Sequence, residues 1–110
     1  MRIPNGEKAV VDPAKLVDYC LNSEHPRGRH KARVFLSALG MSKNDAEGLR
    51  RALLQAAEFE DAVVGTEDDF GKRYVIDFQM EHDGRTAPVR STWIVRIDED
   101  FPRLTSCYIL

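Results

Sequence analysis

The sequence predicts an α+β fold: N-terminal helices, about three, packed on one face of a three- to four-stranded antiparallel sheet. Three observations predict it. Apolar residues recur with helical spacing up to about Glu58 and with a period of two afterwards. Asp83-Gly84 stands between two alternating runs, which is a strong hairpin signal. Helices are grouped before strands rather than alternating with them, so one sheet face is covered and the other left open. The 110 residues make a single domain, 1–110, large enough for a core without metal or disulfide staples.

Each element has a local cause. Ile3-Pro4-Asn5-Gly6 reads as a turn, and Glu7–Val11 as a short extended lead-in. Asp12 is a good N-cap and Pro13 a good first helical residue, so a helix runs from there to about Leu21. Leu16, Val17, Cys20 and Leu21 then face inward. A second helix, Arg29–Leu39, carries Ala32, Phe35, Leu36 and Leu39 on one face and stops at Gly40. Ser42 and Asp45 form a capping box for a third helix, about Lys43–Ala57. That helix buries Ala46, Leu49, Leu53 and Ala56 or Ala57, with Arg50 and Arg51 outward. Ala62–Thr66 is a short strand that turns through Glu67–Gly71. Lys72–His82 alternates clearly, Tyr74, Ile76, Phe78 and Met80 facing one way. Thr86–Ile97 and Arg103–Leu110 complete the meander, joined by a turn at Asp98–Pro102.

Composition narrows the function classes. The net charge of −2 argues against a wholly basic nucleic-acid binder, yet it conceals an asymmetry. Residues 1–55 hold ten Lys/Arg against six Asp/Glu; residues 56–110 hold six against twelve. Cys20 and Cys107 are the only cysteines; without a CxxC motif they suit the core better than a disulfide framework or zinc site. No apolar run reaches membrane-spanning length and MRIPNGEKAVVD lacks a signal-peptide core, so a cytoplasmic setting is expected. No Walker or Rossmann loop is present, His25 and His30 lack a third ligand, and neither metal nor cofactor is expected.

The chemistry concentrates in Leu21–Phe35, LNSEHPRGRHKARVF. His25-Pro26 cannot continue a helix, and Gly28 suits a turn. Arg27, Arg29, His30, Lys31 and Arg33 then crowd a helix start. Cations there oppose the helix dipole, whereas an anion suits it. Arg27, Gly28, Arg29, His30 and Arg33 are therefore candidates for holding a phosphate, as in an RNA backbone. The alternative is a solvated basic face.

The chain also resembles the barnase–EndoU–colicin–RelE-like ribonuclease superfamily, which includes many bacterial toxin domains. It is most similar there to small uncharacterised bacterial domains whose helical part reads LN-x-x-HP-x-G-x-x-KA-x-x-F. Here that is Leu21-Asn22, His25-Pro26, Gly28, Lys31-Ala32 and Phe35. Their sheet part reads V-x-[ST]-x-W, here Val89 to Trp93, followed by a segment like Pro102 to Tyr108 with slightly different spacing. The resemblance spans about residues 3–110 and implies a toxin-type ribonuclease-like domain, with RNA and a small immunity or antitoxin protein as partners.

Metal-independent RNA cleavage by 2′-OH attack needs a base, an acid and cations at phosphorus. His25 is the first candidate for proton transfer and His30 the second, while His82 reads as an exposed hairpin residue. Lys31 would hold phosphate, and Arg90 and Thr92, on one strand face, could supply a cation and a hydroxyl. Each has a structural alternative. His25 can cap the next helix, Lys31 can lay its stem over the core, and Arg90 can pair with Asp77 or Glu81. Trp93 and Tyr108 suit packing better than base stacking. The second functional reading is a non-catalytic protein-binding module of the same fold, which the acidic balance favours.

Overall fold

A computed structural model describes residues 1–110. A 3₁₀ turn at Gly6–Lys8 leads to α1 (Pro13–Lys15), which continues as a π-helical stretch over Leu16–Cys20. Then come α2 (Arg29–Leu39), a 3₁₀ turn (Lys43–Asp45) and α3 (Ala46–Phe59). The strands follow as β1 (Val63–Asp68), β2 (Gly71–His82), β3 (Arg85–Arg96) and β4 (Pro102–Ile109). They form one antiparallel sheet in the order β1-β2-β3-β4. No helix is long and apolar enough to cross a membrane.

The caps behave as their residue types dictate. The Asp12 carboxylate accepts from the Ala14 N–H at 3.0 Å. The Ser42/Asp45 box is reciprocal, but it opens a 3₁₀ turn before α3 begins at Ala46. Gly40 ends α2 with φ of 66°, a left-handed conformation that glycine adopts without steric cost. Asp83 and Gly84 both have positive φ, 50° and 77°, as a type I′ hairpin requires.

One core joins the two layers. Leu16, Phe35, Leu39, Leu49 and Leu53 cluster with Tyr74, Ile76, Val89 and Trp93 of the sheet. Each fully buried leucine contributes about 1.5–3 kcal/mol of transfer free energy. The Trp93 indole N–H donates to Ser91 Oγ at 2.9 Å, and that hydroxyl donates to the Ile76 carbonyl at 2.8 Å. The polar atoms buried beneath the sheet are thereby satisfied.

Some expectations shift. Glu7 and Lys8 belong to the 3₁₀ turn, and within the expected Glu7–Val11 lead-in only Val10 pairs, bridging Arg103 in parallel and covering the start of β4. Leu36 is 55% exposed, because it lies 100° round the helix from Phe35, at the margin of a narrow apolar stripe. Arg50 points back rather than out and donates to the Val11 carbonyl at 3.2 Å. His82 is more than a hairpin residue. Its Nδ1 lies 2.7 Å from the Leu39 carbonyl and its Nε2 3.3 Å from Asp45, tying the hairpin to the end of α2 and the start of the next helical turn.

Candidate functional site

The π-helical stretch sets the geometry. The Leu21 N–H reaches back five residues to the Leu16 carbonyl at 2.8 Å, widening the turn that carries Tyr19 and Cys20. Gly28 then presses against the Tyr19 carbonyl so closely that a Cβ at position 28 would lie 2.3 Å from the oxygen. Close approach, not a positive φ, is why glycine stands there: its φ is −87°.

His25 closes the intervening loop. Its Nδ1 accepts the N–H groups of Arg27 and Gly28, each at 3.0 Å. These bonds close the loop rather than cap α2, at whose N-cap, Gly28, no side-chain capping bond forms, and they assign the neutral ring's proton to Nε2. The ring meets Tyr19 edge to face, centroids 4.9 Å apart. The Arg29 N–H is also used, by the His25 carbonyl at 3.0 Å. The backbone donors around Gly28 are thus largely occupied within the loop.

Lys31 projects from α2 toward β4. Its ammonium donates to Tyr19 Oη and Ser106 Oγ, both at 3.1 Å. It sits 4.7 Å from the Tyr19 ring centroid and 5.6 Å from that of Tyr108. Lys31 is half-buried, and no carboxylate pairs with it. A half-buried ammonium held only by hydroxyls and π faces keeps its charge available to an anion.

Ser106 reaches Lys31 because β4 carries an extra residue. Thr92 pairs with Ser106 but Trp93 pairs with Leu104, leaving Thr105 as a bulge. Thr92 Oγ1 secures the bulge, lying 2.6 Å from Thr105 Oγ1 and donating to the Ser106 carbonyl at 3.3 Å. Cys20 and Cys107 are free and buried. Their mutual hydrogen bond, followed by burial, raises the Cys107 thiol well above its ordinary value.

Two clefts flank this point. One, about 380 Å³, is lined by Asp18, Tyr19, His25, Thr105 and Ser106 among others. The second, about 220 Å³, lies against His30, Lys31, Val34, Tyr108 and Ile109. The structure therefore brings His25 and Lys31 together on Tyr19, with Thr92 joined through Ser106. Arg90 stands two register pairs along from Thr92, on the same strand face and opposite Tyr108. It forms a two-pronged pair with Asp77, both bonds 2.9 Å, which holds the Asp77 carboxyl below its usual range. Arg27, Arg29, His30 and Arg33 are exposed and none takes part in a salt bridge; of the four, only His30 lines one of these clefts. Asp18, Tyr19 and Ser106 were missed from sequence, and Tyr108 was assigned only to packing.

Fold and cleft together define a small α+β domain whose unpaired lysine is displayed between helix and sheet edge. The chain belongs to the family described as "Domain of unknown function (DUF6883)", which it matches over residues 2–110. Among solved structures it is similar to a chain of a contact-dependent growth inhibition toxin–immunity protein complex from Klebsiella pneumoniae 342. The TM-score is 0.73 at 20% identity, covering 94% of this chain and 95% of that one. At this identity the likeness is one of fold. No curated protein sequence matches the chain.

Proposed function

We propose that this domain is a toxin-type, metal-independent ribonuclease of the barnase–EndoU–colicin–RelE-like kind, with Lys31 at the scissile phosphate. One observation carries the reading: a half-buried ammonium between two tyrosines and a serine, without a carboxylate partner, beside a cleft lined by Asp18 and His25. In the proposed reaction the ribose 2′-oxygen bonds to phosphorus while the bond from phosphorus to the 5′-oxygen breaks. The Asp18 carboxylate takes the 2′-OH proton, and the departing 5′-oxygen, stabilised by a hydrogen bond from His25 Nε2–H, takes its proton from solvent water. The products are a 2′,3′-cyclic phosphate and a free 5′-hydroxyl.

Lys31 offsets charge on the phosphoryl oxygens, and Tyr108 offers a face for a flanking base. Thr92 fixes the bulge that presents Ser106, and Arg90, charge-paired with Asp77, holds the strand face beside Tyr108. Arg27, Arg29, His30 and Arg33 steer the RNA backbone toward the cleft. The fold shared with a toxin–immunity complex supports a place in a toxin system, with a small immunity or antitoxin protein as partner. The acidic sheet half favours the second reading, a protein-binding module of the same fold.

Incubation with tRNA, mRNA and ribosome-bound mRNA in excess chelator tests the proposal. RNA is expected to be cut and single-stranded DNA, which lacks the 2′-OH, to survive. Survival of every RNA would leave the binding-module reading.

A further inference from the structure

The opposite edge of the sheet is incomplete. β1 pairs with β2 only from Gly71 to Val75, so β2 continues from Ile76 to His82 with no neighbour on that side. A groove of about 510 Å³ lies there, between this stretch and the second half of α3. Phe78 and Gln79, Met80 and Glu81 all line it. Successive strand residues point to opposite faces, so a cavity touching both sets sits on the strand's edge, where backbone groups are open to pairing. Its floor is apolar: Ala52, Ala56, Phe59, Phe78 and Met80. Phe59 is 56% exposed and Phe78 only half-buried, because no strand covers them.

The charges are of one sign. Glu60 and Glu81 line the groove, no lysine or arginine does, and neither carboxylate takes part in a salt bridge. The adjoining segment adds Glu58, Glu67 and Asp69, while its Asp61 pairs with the N-terminal ammonium and Arg2, and its Asp68 with Arg73.

We propose that this groove binds an extended segment of a partner protein, which adds to the free edge of β2 as a further strand. Apolar side chains of that segment cover Phe59, Phe78 and Met80, and its lysines or arginines meet Glu60 and Glu81. Main-chain hydrogen bonds supply affinity, and the alternation of apolar and basic residues supplies selection. The groove lies across the sheet from Lys31, so an occupant leaves the RNA cleft open.

The test uses the whole domain and a peptide of about nine residues, an ordinary strand length, alternating valine and lysine. Its controls are the same peptide with glutamate for lysine, and the lysine peptide with alternate backbone nitrogens methylated. Fluorescence anisotropy is expected to rank the lysine peptide at least about tenfold tighter than either control. Amide exchange is expected to slow at residues 76–82. Glu60→Lys with Glu81→Lys, checked for an unchanged melting temperature, should reverse the preference toward the glutamate peptide. Equal affinity for both charge forms, no binding, or retention of the lysine peptide by the double variant would overturn the proposal. So would sedimentation showing that a second copy of the domain occupies this edge.

Discussion

Replacing His25 separates its two roles, loop closure and hydrogen-bond donation to the departing oxygen. In His25→Ala the N–H groups of Arg27 and Gly28 lose their shared acceptor, and Tyr19 loses an edge contact. Losing the side-chain acceptor that closes the loop costs about 1 kcal/mol, and an edge-to-face contact about 0.5–1.5 kcal/mol. The Arg27 bond is solvent-exposed, so water recovers part of it, and the sum comes to about 1.5 kcal/mol. Unfolding entropy of about 2.1 cal/mol/K per residue gives roughly 0.23 kcal/mol/K for this chain, hence a fall of about 6 °C in Tm. His25→Asn keeps a side-chain oxygen able to accept the same amides, and it should lose only about half as much. Cleavage behaves differently: both variants lose the Nε2 donor and should slow by a factor on the order of 10²–10³. Thermal denaturation followed by circular dichroism, paired with single-turnover RNA cleavage, measures both. An unchanged Tm in His25→Ala refutes the loop closure. Wild-type cleavage by His25→Asn refutes the catalytic role.

Other predictions follow from single contacts. Ser91→Ala removes the acceptor of the buried Trp93 N–H and a donor to the Ile76 carbonyl, and should cost about 1–3 kcal/mol by chemical denaturation. A near-zero cost would mean that water enters beneath the sheet. Gly28→Ala must displace the His25 loop from the Tyr19 carbonyl, so it should cost about 1–3 kcal/mol and also slow cleavage. The Leu39 carbonyl, then Asp83 and Asp45, raise the pKa of His82 above 6.5. Its contribution to stability is therefore fully present below about pH 6.5 and is lost as pH rises through the higher folded value. An NMR titration giving His82 an ordinary or lowered pKa, or a His82→Gln variant with the same pH–stability curve as wild type, would contradict this.

Much of the fold was legible because its signals are local. Asp12-Pro13, Ser42 with Asp45, Gly40 and Asp83-Gly84 each fix backbone conformation within a few residues. Period two marked β2 and β3 correctly, and β1 and β4 to within two residues at each end. The π-helical stretch was not legible: it turns on one five-residue hydrogen bond that leaves the apolar spacing nearly unchanged. The bulge at Thr105 was hidden likewise, because β4's alternation reads acceptably either side of it. The site was half legible. His25, Gly28 and Lys31 fall in one short run, but Tyr19 lies 12 residues from Lys31 and Ser106 lies 75, and only tertiary packing joins them. For Arg90 the strand face alone leaves open both a free cation and a pair with Asp77 or Glu81, and the hairpin register, which sets Asp77 opposite Arg90, decides for the Asp77 pair.

The central claim is that Lys31 acts on an RNA phosphodiester. The direct measurement compares wild type with Lys31→Met, which keeps an unbranched apolar stem but removes the charge, in chelator-treated cleavage with analysis of product ends. Wild type should yield 2′,3′-cyclic phosphate and 5′-hydroxyl ends. Lys31→Met should remain folded by circular dichroism and lose cleavage by a factor on the order of 10² or more, as when one stabilising donor is removed from a transition state. RNA left intact by wild type, or cut equally by Lys31→Met, would contradict the account.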